Sequence, residues 1–93
     1  MEEKARAHIV ISGIVQGVFF RVETQQAAQR LDVSGWVRNK RDGTVEAVIE
    51  GERQKVEAML DWCRKGPPRA VVDNVAVEWE TYTGEMVDFR VTH

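Results

Sequence analysis

Gly13-Ile14-Val15-Gln16-Gly17-Val18-Phe19-Phe20-Arg21 separates two runs of different periodicity. Before it, Ala7-His8-Ile9-Val10-Ile11 is rich in β-branched residues, the composition of a strand. After it, Phe20, Thr24, Ala27, Ala28 and Leu31 recur at the spacing of a helix face. The stretch between them is a tight strand-to-helix loop with two glycines, and an arginine stands where the helix begins. Glycine lets main-chain N–H groups turn inward with no Cβ in the way. A helix N-terminus adds unpaired donors and positive partial charge. Together they make a cradle for an anion. The planar fork of Arg21 suits two oxygens of one phosphoryl group.

Working outward, residues 6 to 13 read as a first strand. Ile9 and Ile11 face one side and Val10 the other, which places this strand inside a sheet. Residues 1 to 5 are polar and expected to fray. The first helix runs from Phe20 or Val22 to Leu31, followed by Asp32, a residue type that tolerates the left-handed conformation better than most, though less well than Gly. Ser34 to Asn39 form a second strand. Asp42-Gly43 signals a hairpin. Thr44 to Glu50 form a third strand, with Val45, Ala47 and Ile49 alternating against polar residues until Gly51 ends it. The second helix spans Glu52 to Lys65, with Val56, Met59, Leu60 and Cys63 as its apolar stripe. Glu52 in its first turn and Arg64 and Lys65 in its last complement the dipole. Gly66-Pro67-Pro68 stops it. Ala70 to Glu80 form a fourth strand with Val75, Val77 and Trp79 on one face. Thr83-Gly84-Glu85 turns the chain, and Val87, Phe89 and Val91 alternate in a short last strand. The order is βαββαβ plus one strand: an α+β, ferredoxin-like sandwich, an antiparallel sheet of four to five strands with two helices on one face.

Topology then brings distant residues together. A right-handed crossover makes the first two strands parallel, with the third between them. Their C-terminal ends share one rim of the sheet. The loop leaves the first strand at that rim and Asn39 closes the second there, so Arg21 and Asn39 meet. Lys40 and Arg41 follow on the hairpin. With Arg38 they read as a solvated edge that steers anions.

The 93 residues are expected to form one domain, residues 1–93. A net charge of −2 is far from the basic balance of nucleic-acid-binding domains, so nucleic acid is not expected as a partner. One cysteine, Cys63, allows no internal disulfide. No apolar run approaches the roughly 20 residues of a membrane span, so no membrane partner is expected. Met1-Glu2-Glu3-Lys4 is too acidic for a signal peptide, and the cytoplasm is the expected compartment. Nothing in the sequence demands more than a monomer.

The loop resembles the first signature of the acylphosphatase family. A second signature follows as Gly35-Trp36-Val37-Arg38-Asn39, then Asp42-Gly43-Thr44-Val45, then Glu50-Gly51. Two motifs in order over nearly the whole chain are specific, where one glycine-rich loop is not. The resemblance implies the same ferredoxin-like fold and hydrolysis of carboxyl-phosphate anhydrides. It implies that main-chain N–H groups of Val15, Gln16, Gly17, Val18, Phe19, Phe20 and Arg21 hold the phosphoryl oxygens. Arg21 matches the family's catalytic arginine and Asn39 its catalytic asparagine, which orients the attacking water. No cofactor and no metal are implied; the partner is a small acyl phosphate, with inorganic phosphate or sulfate as competing anions. Two positions depart from the family pattern: Asp32 stands where glycine commonly closes the helix, and Lys40 where threonine often follows the asparagine.

Other readings are plainer. His8 lies inside a strand and reads as structural. His8, His93 and Cys63 make no metal cluster. Cys63 falls on an apolar stripe and reads as core, away from any histidine. Trp36, Trp62 and Trp79 read as packing residues. Two rival functions remain: a non-catalytic anion-binding or regulatory module, and a ferredoxin-like RNA binder. The latter would show exposed aromatics on its central strands, and the first and third strands offer none.

Overall fold

Seven elements follow one another: β1 (Lys4–Ile14), α1 (Phe20–Leu31), β2 (Ser34–Asn39), β3 (Val45–Glu52), α2 (Arg53–Lys65), β4 (Val71–Glu80) and β5 (Phe89–Val91). The computed structural model describes residues 3–93. The strands form one sheet in the order β4-β1-β3-β2-β5. β1 pairs antiparallel with β3 and β4, and β3 pairs antiparallel with β2. β5 adds to β2 in parallel, so the expected antiparallel sheet gains a parallel edge and is mixed.

Strand alternation fixes which face the helices cover. Ala7, Ile9 and Ile11 of β1 and Val45, Ala47 and Ile49 of β3 all point into the core. Phe20, Ala27 and Ala28 of α1 and the Val56, Met59, Leu60 and Cys63 stripe of α2 meet them there. Both helices therefore lie on one face, as the periodicity implies. Burial pushes the Cys63 thiol up to about 12, so it stays protonated and inert.

Asp32 closes α1 at φ 59°, ψ 49°, and Val33 donates back to the Ala28 carbonyl at 3.0 Å. Its carboxylate lies 3.2 Å from Lys55 Nζ, a compensation that glycine could not provide. Some boundaries differ from expectation. β1 starts at Lys4, and the Arg53 N–H holds the Glu3 carbonyl at 2.8 Å, so the N-terminal segment is tied down from residue 3. Met1 and Glu2 lie outside the described residues. Gly51 does not end β3; it pairs with Ala5 inside the ladder. Glu52 is consequently the last strand residue and the N-cap of α2, leaving no acid in the helix's first turn. Trp79 is exposed, with the Arg53 guanidinium 4.2 Å over its ring. Val87 falls outside β5 and is exposed.

The polar face of β3 is the main surprise. Alternation alone predicts that Glu46 and Glu50 are solvated, yet Glu50 is only 1% exposed. To reach the far edge of the sheet, the chain after β4 must pass β1, β3 and β2. Thr83 and Gly84 lie on that crossing and make no simple turn. Glu50 accepts the Thr83 N–H at 2.8 Å, the Thr83 hydroxyl at 2.9 Å, the Gly84 N–H at 3.1 Å and Arg6 Nη1 at 3.1 Å. One buried carboxylate thus latches the crossing segment that delivers β5. Beside it, Glu46 accepts from Arg38 Nε and His8 Nε2, each at 2.6 Å. Arg38, its side chain still half exposed, is therefore paired with Glu46 and is no free steering charge.

Burial pushes the Glu50 carboxyl up, but the donors from Thr83, Arg6 and Gly84 outweigh it and hold the group below its ordinary value. The folded state thus binds that proton less tightly than the unfolded chain. The stabilisation is fully present above the unfolded pKa of about 4.3 and is lost as pH falls through the lower folded value. Glu50→Gln is expected to destabilise by about 2 kcal/mol at pH 7. For a chain of this length that lowers Tm by roughly 10 °C. The gap between wild type and variant should narrow as melts are taken from pH 7 to below about pH 4; a gap that stays constant between pH 7 and pH 3 would assign the loss to something other than the carboxylate.

Candidate active site

Gly13 is not part of the cradle. It sits in β1 at φ 127°, where the register with β4 shifts, and a Cβ there would stand 2.1 Å from the Val71 carbonyl oxygen. Its work is to let two backbones close. The loop proper is Val15 to Phe19. Val15 and Phe20 are buried at its two ends, and the Phe20 ring meets Trp62 edge-on with centroids 5.9 Å apart. Val18 packs against the core. Apolar anchors at both ends leave the main chain between them to face outward.

That main chain is rich in free donors. Among the described residues, the N–H groups of Gln16 to Val22 reach no main-chain carbonyl outside regular ladders, and the first helical bond of the turn is Glu23 N–H to the Phe19 carbonyl at 3.0 Å. The N-cap is Phe19, which has no side-chain acceptor to offer. Ser, Thr, Asp or Asn at this position would satisfy one orphan donor internally. This sequence forgoes that, so the donors and the positive end of α1 remain for an external anion. Phe19 also takes the left-handed conformation, φ 61° and ψ 22°. For a bulky residue that costs about 1–2 kcal/mol.

Val15, Gly17, Phe19, Phe20, Arg21, Val22 and Asn39 line a cleft of about 240 Å³. Arg21 and Asn39 therefore meet, as the topology requires. The register explains it: Asn39 pairs with Val45, and Val45 with Ile11, so the three are level across neighbouring strands. Two strand spacings of about 4.8 Å separate β1 from β2 at that level. Arg21 has no ion-pair partner among the described residues. Asn39 Oδ1 is buried with no hydrogen-bond partner among the described residues. Such an acceptor costs about 1–3 kcal/mol unless something donates to it.

Gln16 does something its sequence position does not disclose. Its side chain points away from the cleft, and Nε2 donates to the Lys40 carbonyl at 2.7 Å and the Thr44 carbonyl at 2.8 Å. One amide thus ties the loop to the hairpin that carries Asn39. Nothing in the residue type or spacing signals this; a long polar side chain in a loop is ordinary. Val22, the second residue of α1's exposed face in the cleft, was likewise not singled out by the sequence. Lys40 and Arg41 border a separate groove that shares only Asn39 with the cleft.

Volume alone would choose other places: the groove at Lys40 and Arg41 measures about 610 Å³. A groove of about 500 Å³ runs between the helices along Glu23, Arg30, Trp62 and Pro67. It takes no residue from the loop, and among the described residues it has no orphaned buried side-chain atom. His8 is also elsewhere: it is bound to Glu46, six residues before the end of β1, which is about 20 Å of strand.

The chain matches known proteins along nearly its whole length. The sequence profile of the acylphosphatase family matches residues 7–91. An acylphosphatase of Pelotomaculum thermopropionicum is 57% identical over 95% of this chain and 96% of its own. One of an Anaeromyxobacter species is 56% identical over the full length of both. The structure of an acylphosphatase from Coxiella burnetii superposes with a TM-score of 0.90 at 40% identity, covering 96% of this chain and 93% of its own. With the loop, the arginine and the asparagine gathered at one rim, and with relatives of this identity along the whole chain, the protein belongs to the acylphosphatase family.

Proposed function

We propose that the Val15–Arg21 main chain and the Arg21 guanidinium hold the phosphoryl group of an acyl phosphate while Asn39 aims the water that hydrolyses it. Family membership carries the reaction itself, hydrolysis of an acyl phosphate to a carboxylate and inorganic phosphate. The observation that supports the residue roles is the gathering of free N–H donors, Arg21 and Asn39 around one small cleft.

In phosphoryl transfer the protein mainly positions groups and stabilises charge on the equatorial oxygens. Loop N–H groups and Arg21 supply that charge. The Asn39 carboxamide, which can donate and accept, hydrogen-bonds the water and turns a lone pair toward phosphorus. The water oxygen bonds to phosphorus as the bond to the acyl oxygen breaks, and the bonding pair leaves with the carboxylate. That leaving group has a conjugate acid of pKa about 4, so it departs without a proton. The water's proton passes to a phosphoryl oxygen of the substrate. No histidine, cysteine or carboxylate is among the side chains lining the cleft.

All the cleft residues come from one chain, so a monomer suffices. Positive charge is supplied by Arg21 and the main chain, so no metal or cofactor is required. The test is hydrolysis of benzoyl phosphate with excess chelator present. Full activity, competitive inhibition by inorganic phosphate or sulfate, and a kcat that is flat from pH 6 to 8 are expected. Loss of turnover on chelation would overturn the metal-free reading. Phosphate binding without turnover would make this a regulatory anion-binding module.

A further inference from the structure

We propose that Phe19, with Val22 beside it, seats the acyl group of the substrate and makes the enzyme prefer apolar, aromatic acyl phosphates over small ones. This rests on the hydrolase reading above. In-line displacement puts the leaving oxygen opposite the attacking water. Asn39 enters the cleft from β2, so the water comes from that side and the acyl group departs away from β2. The basic groove at Lys40 and Arg41 shares only Asn39 with the cleft and so lies on the water's side. The remaining lining belongs to the loop and α1. There the two exposed side chains besides Arg21 are both apolar: Phe19 is 67% and Val22 48% exposed.

Size points the same way. At about 30 Å³ per water-sized group, the phosphoryl oxygens, the bridging oxygen and the water take roughly 150 Å³. That leaves roughly 90 Å³ of the cleft's 240 Å³, enough for a small acyl group but not for a benzoyl group, so a bulky acyl body extends across the rim. Phe19 is on that rim in a left-handed backbone conformation. Its strain is not offset by burial, because the ring faces solvent. An exposed aromatic held in a strained conformation at a cleft mouth is a feature to be explained by a ligand. A flat acyl group stacked on the ring supplies that explanation.

The test compares benzoylphosphonate with acetylphosphonate, neither of which can be hydrolysed, by calorimetry on wild type, Phe19→Ala, Phe19→Gly and Phe19→Trp. Wild type should bind the benzoyl compound more tightly. Phe19→Ala and Phe19→Gly should reduce that preference about fivefold, and Phe19→Trp should restore it. Any change in the loop's grip on phosphate enters both phosphonates alike, so the readout is the ratio of their two affinities, with inorganic phosphate as the reference. Phe19→Gly should also keep or raise the melting temperature, since glycine adopts this conformation freely. An unchanged preference in Phe19→Ala would overturn the proposal. So would an equal loss of affinity for inorganic phosphate and both phosphonates, which would make Phe19 a prop for the loop. Should wild type fail to hydrolyse benzoyl phosphate while the preference still responds to Phe19→Ala, the hydrolase reading falls and the acyl seat stands.

Discussion

Arg21→Lys is expected to lower kcat/KM for benzoyl phosphate by three powers of ten or more, although the charge is unchanged. A factor of a thousand is about 4 kcal/mol of transition-state stabilisation. Arginines that clamp a transferring phosphoryl group are worth that much or more. The loss follows from shape. The guanidinium is planar and presents parallel N–H bonds to two oxygens at once, whereas an ammonium is a compact point charge on a flexible stem. Arg21 stands in the first turn of α1, where its own N–H and its side chain address the same cleft. It has no carboxylate to hold it among the described residues, so its positive charge is not neutralised before an anion arrives. A Lys variant that kept more than a tenth of the wild-type kcat/KM would show that charge alone suffices and that the fork has no role. Arg21→Ala provides the second reading. If the guanidinium grips the phosphoryl group, that variant should weaken inorganic phosphate binding as well as turnover, with its melting temperature little changed for a half-buried surface residue.

The fold was readable because local signals agreed. The loop lies between a β-branched run and a helix face, Asp42-Gly43 makes the hairpin, and Gly66-Pro67-Pro68 stops α2. The handedness of one crossover then sufficed to place Arg21 and Asn39 at one rim. What escaped were interactions whose partners lie far apart in sequence. Glu50 alternates like any solvated strand residue, and only the crossing of residues 81 to 88 buries it. Arg38 looks like a steering charge until Glu46 and His8 are placed beside it. Gly13 and Gly17 look equivalent in the motif. Yet a Cβ at Gly13 would strike the Val71 carbonyl, while at Gly17 it would meet no protein atom and would intrude on the cleft. Periodicity reports which face a residue is on; it does not report which distant segment will cover that face. The same limit hid the second role of Gln16, whose carbonyl partners lie more than twenty positions on.

Asn39→Ala should separate binding from chemistry. The expected kcat is about a hundredfold to a thousandfold lower, the range for losing one group that positions a reacting atom. Affinity for inorganic phosphate should stay within about threefold, because the loop N–H groups and Arg21 are untouched. Stability gives an independent check. Removing a buried acceptor that has no partner relieves a desolvation cost of about 1–3 kcal/mol, against a smaller loss of packing. The Ala variant should therefore melt no lower than wild type, and a residue that lowers stability while raising rate is one held in place for its chemistry. Asn39→Asp sharpens the contrast. It keeps the size but sets a carboxylate beside the phosphoryl oxygens, so it should weaken phosphate binding as well, and more so as pH rises through the carboxyl's titration. If Asn39→Ala instead abolished phosphate binding with the fold intact, the carboxamide would be a ligand of the anion, and the water would need another guide. The two variants fail in different ways only if the side chain faces the water and not the phosphate, and that distinction is what their paired measurement reads.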